Sequence, residues 1–166
     1  MKLLSLAALL SAAAFSPDGQ QRLLPVDERG YQKILAANAG KVILVDFWAT
    51  WCAPCLDDMP AVGRLEAKYQ HKGFKLITVS CDEPEQEAAA HRFLEKNGVP
   101  LPAYIMRVEN DERFITAIDR KWSGALPARF LYGRDGRKVK AFIGETQIGE
   151  LEAAIKKGTD AFFPRK

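Results

Sequence analysis

Between Lys41 and Ala49 the apolar positions do not alternate with polar ones: Val42-Ile43-Leu44-Val45-Asp46-Phe47-Trp48 is broken only by Asp46. A run this apolar and this rich in β-branched and aromatic residues predicts a strand covered on both faces. From Cys52 the period changes, with Leu56, Met59, Val62, Leu65 and Tyr69 at helical spacing, Gly73 as the stop and Pro60 as an expected kink. Phe74 to Ser80 reads as a second strand, and Asp82 three residues before Glu85 reads as a capping box opening a helix that ends at Asn97-Gly98. Upstream, Tyr31, Ile34 and Leu35 follow a possible Asp27 cap and predict a short helix. Downstream, Tyr104 to Val108 reads as extended and Arg113 to Ile118 as a short helix or loop. Arg129 to Tyr132, the Asp135-Gly136 turn and Lys138 to Ile143 form a hairpin signal. Ile148, Leu151 and Ile155 mark one face of a last helix expected to stop at Gly158.

The first residues stand apart. Lys2 precedes Leu3 to Phe15, an uncharged stretch ending in the small triplet Ala12-Ala13-Ala14 and shorter than the ~20 residues that span a bilayer. This predicts an export signal over residues 1–14, cleaved after Ala14, with an uncleaved membrane-associated tail as the other reading. Residues 15–166 then form one domain, since the length suits a single core and no linker or repeat is visible. The net charge is +3, with 24 Lys+Arg scattered among 21 Asp+Glu, so no nucleic-acid footprint or polybasic membrane patch is indicated. Three cysteines are too few to build a disulfide scaffold, which makes any cysteine chemistry local.

That chemistry centres on Trp51-Cys52-Ala53-Pro54-Cys55, directly after the apolar strand and at the start of a helix. Free N–H groups and the positive end of the helix dipole favour an anion there, so Cys52 can hold a thiolate with a pKa of ~3.5–7.5 instead of ~8.5. Two intervening residues bring Cys55 within reach of Cys52 across one turn, so a mixed disulfide at Cys52 can be resolved within the chain. Two other readings remain open. Cys81 with His91 or His71 would complete a Cys₃His zinc set, although zinc ribbons pair two such turns and this chain has one. A purely structural disulfide is the other.

The segment Val45 to Cys55 closely resembles the active-site segment of the thioredoxin superfamily, especially its TlpA-like extracytoplasmic thiol–disulfide oxidoreductases. Pro60 corresponds to the family's kink proline, and Gly124-Ala125-Leu126-Pro127 resembles its cis-proline loop. The resemblance implies an α/β three-layer sandwich with a central mixed sheet and an insertion, around 84–122, before that loop. It further implies that Cys52 attacks, Cys55 resolves and the buried Asp46 transfers a proton. Trp51, Ala53, Pro54, Leu126 and a cis Pro127 would border the substrate, the Leu126 backbone pairing with an extended segment. A strand-end Asp46 that merely bonds nearby backbone is the plainer alternative. Asp58 stands where relatives often carry a Glu facing the site, yet an acid in a first helical turn has an ordinary dipole explanation. Arg129 reads as a solvated strand charge, Cys81 as a buried structural thiol, Trp48 as packing, and neither histidine as catalytic.

The implied partners are protein thiols and disulfides and a membrane-embedded electron donor. No organic cofactor or metal is expected, because the cysteine pair carries two electrons. The expected direction is reduction, in cytochrome c maturation or disulfide repair, by a monomer in the periplasm or an equivalent compartment. The reading from a different class is a redox-inactive binding module or dithiol metal carrier on the same scaffold.

Overall fold

The computed structural model describes residues 23–161, so the proposed export signal lies outside the described residues. The strands are β1 (Leu24–Val26), β2 (Val42–Trp48), β3 (Phe74–Ser80), β4 (Tyr104–Met106), β5 (Ala128–Tyr132) and β6 (Lys138–Ile143). The helices are α1 (Glu28–Ala37), α2 (Ala53–Tyr69), α3 (Glu87–Lys96), α4 (Asp111–Ile118) and α5 (Ile148–Asp160). The strands form one sheet in the order β1-β4-β3-β2-β5-β6. β1 to β4, β4 to β3 and β3 to β2 are parallel; β2 to β5 and β5 to β6 are antiparallel. This is the mixed sheet expected of the sandwich, and the segment between β3 and β5 supplies α3, β4 and α4.

All seven residues of β2 are buried because the strand sits between two helix layers. Successive side chains on a strand point to opposite faces. Val42, Leu44 and Trp48 accordingly join α2, α3 and α5 through Met59, Leu94 and Ile155. Ile43, Val45 and Phe47 join Tyr31 of α1 and Phe114 of α4 on the other side. Phe47 is the hub of that second layer, its ring centroid 4.8 Å from Trp122, 5.9 Å from Phe130, 6.0 Å from Tyr31 and 6.2 Å from Phe114.

Several local expectations hold. The Asp27 carboxylate caps α1, accepting the Gly30 N–H at 2.6 Å. Pro60 lies inside α2, and Gly73, at φ +73°, ends the 3₁₀ turn that follows the helix. Others need correction. Asp82 does not cap α3: it is buried, a 3₁₀ turn over Pro84–Gln86 intervenes, and α3 begins without a side-chain cap. α5 continues past Gly158, which is selected for closeness: a Cβ there would lie 3.3 Å from both methyls of Val42. Among the described residues no helix is long and apolar enough to cross a membrane.

Phe47 offers a direct check on this core. Phe47→Ala removes the ring on which four aromatic neighbours converge and should cost about 3–5 kcal/mol in urea unfolding. A loss below about 1 kcal/mol would mean that the aromatic layer closes over the gap.

Candidate active site

The site lies at the C-terminal end of β2. Ala49-Thr50-Trp51 turns the chain, the Cys52 N–H donating to the Ala49 carbonyl at 3.1 Å, and α2 begins at Ala53 with Cys52 as its N-cap in extended conformation. Cys52 and Cys55 are joined as a disulfide. An N-cap side chain faces the N–H groups of the second and third helical residues. Pro54, the second, has no N–H, so Cys55 carries the backbone donor available to a Cys52 thiolate. Cys52 is the more accessible sulfur-bearing residue at 5% exposure against 0% for Cys55, and Trp51 beside it is 67% exposed. Ala53 is exposed and Pro54 half-buried.

The turn is anchored from the neighbouring strand. The Asp82 carboxylate, just beyond β3, accepts the Thr50 N–H at 3.0 and 3.1 Å, the Thr50 hydroxyl at 2.6 Å and the Ser80 hydroxyl at 2.7 Å. Arg107 donates to the Asp82 carbonyl at 2.9 Å. These bonds explain why Asp82 is buried and unavailable to α3.

From the other side, Phe47 of β2 pairs with Ala128 of β5, so Leu126 and Pro127 reach the same sheet end as the disulfide. The Leu126–Pro127 peptide is cis, as the resemblance implied; Leu101–Pro102 is also cis and was not anticipated. Pro127 is buried and Leu126 half-buried against both apolar layers. The Trp122 indole N–H donates to the Ala125 carbonyl at 2.9 Å and the Gly144 N–H to the Pro127 carbonyl at 2.8 Å, fixing the loop at both ends.

Asp46 is completely buried on the α2 side of β2. Its cross-strand partner is Arg129, and this overturns the reading of Arg129 as a solvated charge. Arg129 is 1% exposed and spans two acids: Nε donates to Asp46 Oδ1 at 3.1 Å and Nη2 to Asp58 Oδ2 at 3.0 Å. Asp46 Oδ2 and Arg129 Nη1 are buried with no protein partner. Loss of hydration pushes the Asp46 carboxyl up to about 6, Arg129 opposing the rise and Asp58 adding to it. The plainer reading of Asp46, bonding to nearby backbone, is not what forms. Cys81 is half-buried against both layers, with the dehydration of its thiol, and then the Asp82 charge, pushing it up to about 12. It is therefore protonated at neutral pH. Among the described residues no three His, Cys, Asp or Glu side chains form a metal-ligand cluster.

Reading along the chain missed Arg129 and Asp82. The available signal for Arg129 was a lone cation in an otherwise apolar strand beside the proline loop, but its partner becomes visible only when β5 is placed against β2. For Asp82 the local pattern fits a helix cap equally well.

Comparison with known proteins gives a consistent result. The chain is 33% identical over 120 residues to the thiol-disulfide oxidoreductase ResA of Bacillus thuringiensis (strain Al Hakam), an alignment covering 72% of this chain and 65% of that one. It is 32% identical over 124 residues to ResA of Geobacillus thermodenitrificans, covering 75% and 66%. The chain thus spans slightly under two thirds of the length of these curated relatives. Among solved structures, a candidate DsbE-type thiol:disulfide interchange protein of Chlorobium tepidum superposes with a TM-score of 0.61 at 27% identity, over 75% of this chain and 84% of that one. A thioredoxin-family thiol:disulfide interchange protein of Chlorobium tepidum TLS gives 0.62 at 20% identity over 75% and 83%, a likeness of fold alone. Residues 15–141 match the model of the AhpC/TSA family, so the chain belongs to the AhpC/TSA family and carries the thioredoxin-type fold of its TlpA-like members.

Proposed function

We propose that this protein is a thiol–disulfide oxidoreductase that exchanges its Cys52–Cys55 pair with protein thiols and disulfides. The observation that carries the reading is that disulfide at the N-terminus of α2, flanked by the cis-proline loop and backed by a buried carboxylate. The named activity of the relatives supports it. In the reduced protein, Cys52 attacks a substrate disulfide; one substrate sulfur leaves as thiolate and the other remains bound to Cys52. Cys55 then gives its proton to Asp46 and attacks Cys52. The Cys52–Cys55 bond forms, and the second substrate sulfur departs with the electron pair. Two electrons have moved from dithiol to substrate, and no further cofactor takes part. Trp51, Ala53, Pro54, Leu126 and Pro127 form the rim, where the Leu126 backbone receives an extended substrate segment.

The working direction is reduction outside the cytoplasm, with residues 1–14 as the export signal. The protein acts as a monomer recharged by a membrane-embedded donor and serves cytochrome c maturation or disulfide repair. A reduction potential nearer thioredoxin's ~−270 mV than the ~−120 mV of a strong oxidant follows from that direction, and a glutathione titration measures it.

Trapping tests mechanism and client together. Cys55→Ser retains the attacking thiol and loses the resolving one, so adducts that vanish with reductant should accumulate on it, and mass spectrometry names the trapped proteins. Cys52→Ser should trap little. Equal or better trapping by Cys52→Ser would reverse the two roles, while insulin reduction no faster than that of Cys52→Ser would leave a binding module.

The state of Asp46 is read from stability. A carboxyl at about 6 in the fold and at its ordinary 3.8 when unfolded holds an extra proton in the native state between those values. Stability from this group is full below the lower value and is lost as pH rises toward the upper one, at about 1.4 kcal/mol per pH unit. The oxidised protein should therefore lose stability relative to Asp46→Asn between about pH 4 and pH 6, and the difference should level off above pH 7. A difference that is flat throughout would show that Asp46 ionises normally.

A further inference from the structure

In the exchange reaction Asp46 takes up a proton, while the cation bonded to it has no assigned part. Arg129 occupies the strand position opposite Asp46, is buried beneath α2, and divides its donors between Asp46 at 3.1 Å and Asp58 at 3.0 Å. Asp46 has no exposure, whereas the Asp58 side chain is 24% exposed and meets water. One fixed positive charge thus serves two acids, one dry and one wet. Asp58 sits on α2 one turn beyond Cys55, so the arrangement links the helix that carries the resolving cysteine to the carboxylate that receives its proton.

We propose that Arg129 is a positioning residue for this reaction, its shared guanidinium holding Asp46 ready to receive the Cys55 proton, and that Asp58 determines how much of that charge Asp46 feels. The proposal rests on the exchange reading above for its consequence in catalysis, and on the buried ion-pair geometry for its electrostatics. The guanidinium favours the ionised form of Asp46; the second acid opposes it, both by repulsion and by competing for the cation. The adjoining elements carry further titratable groups: the Cys52–Cys55 pair at the start of α2, and Cys81 beyond β3, whose thiol feels the Asp46 charge. The buried residues of α5 are Leu151, Ile155 and Thr159, none of them titratable in this range.

Opposite substitutions should therefore act in opposite directions. Removing the cation withdraws what keeps a dehydrated carboxylate ionised, so Asp46 would remain protonated and unable to accept the Cys55 proton until higher pH. Removing Asp58 gives the guanidinium wholly to Asp46 and should let it ionise at lower pH. A residue that served only packing would change stability and rate without moving two titrations apart.

The test follows the Asp46 side-chain ¹³C resonance through a pH titration in the full chain, beside the rate at which Cys55 displaces thionitrobenzoate from a Cys52 mixed disulfide. The wild-type carboxyl is expected to titrate at about 6. Arg129→Gln should raise that midpoint by more than about one pH unit and slow displacement at pH 7 at least about twofold, with recovery by about pH 9. Asp58→Asn should lower it, and Arg129→Lys, which restores charge without the two-pronged fork, should fall between wild type and Arg129→Gln. If Arg129→Gln does not fold, Arg129→Lys and Asp58→Asn still supply the opposed pair of shifts. Midpoints that stay put, or that move the same way in both, overturn the proposal. So does a displacement rate that fails to follow the shifted midpoints. Wild-type protein that performs no displacement at any pH, while its midpoints move as described, instead defeats the exchange reading.

Discussion

The arrangement at this end of the sheet is built around a carboxylate kept out of water. Asp46 and Arg129 face each other at the centre of the sheet, and at 3.1 Å their attraction amounts to roughly 5 kcal/mol with an effective dielectric near 20. Dehydrating the two ions costs several kcal/mol each, so the pair does not explain why the domain is stable. Apolar residues in both places would fill the layer between β2 and α2 at least as well. What the pair supplies is an acid whose two protonation states are close in free energy near neutral pH, one hydrogen bond holding Oδ1 and none holding Oδ2.

The topology delivers that pair and the proline loop in a single step. β2 is where the sheet changes from parallel to antiparallel pairing, with β3 on one side and β5 on the other. Because β5 runs against β2, the beginning of β5 lies at the end of β2 from which the cysteine loop departs. One register therefore sets Ala128 against Phe47, the proline loop beside the disulfide and Arg129 against Asp46. A slip of one residue would turn Arg129 into the aromatic layer around Phe47 and Trp122. The apolar alternation of β5, with Ala128, Phe130 and Tyr132 in that layer and Leu131 in the other, opposes such a slip. Core packing thereby fixes the position of a charge.

This division explains what could be read from the chain beforehand. The apolar run of β2, broken only by Asp46, the helical stripe of α2 and the Cys-x-x-Cys pair at their junction are local patterns, and each appears where the pattern puts it. Pro127 and its neighbours were legible through family resemblance, since the local residues alone give no reason to prefer a cis bond. Arg129, Asp82 and Gly158 were misread for a common reason. Each is decided by a neighbour distant in sequence: Arg129 by Asp46, Asp82 by Thr50 and Gly158 by Val42. Local rules assign a strand cation to solvent, an aspartate after a strand to a helix cap and a helical glycine to a stop. All three are sensible until another segment closes over the position.

The two buried aspartates show how partners divide one residue type between two tasks. Asp82 accepts from the Thr50 N–H, the Thr50 hydroxyl and the Ser80 hydroxyl, and so ties the cysteine turn to the end of β3. Asp46 has one partner and a free oxygen, so a proton can settle on Oδ2 without displacing the Arg129 hydrogen bond at Oδ1. The carboxylate rich in hydrogen bonds is suited to structure because each bond fixes part of the turn. The poorly bonded one keeps an oxygen open to a proton, and Arg129 limits how far burial raises it. Burial alone would have marked both residues as candidates for the same role; the count and chemistry of their partners separates them.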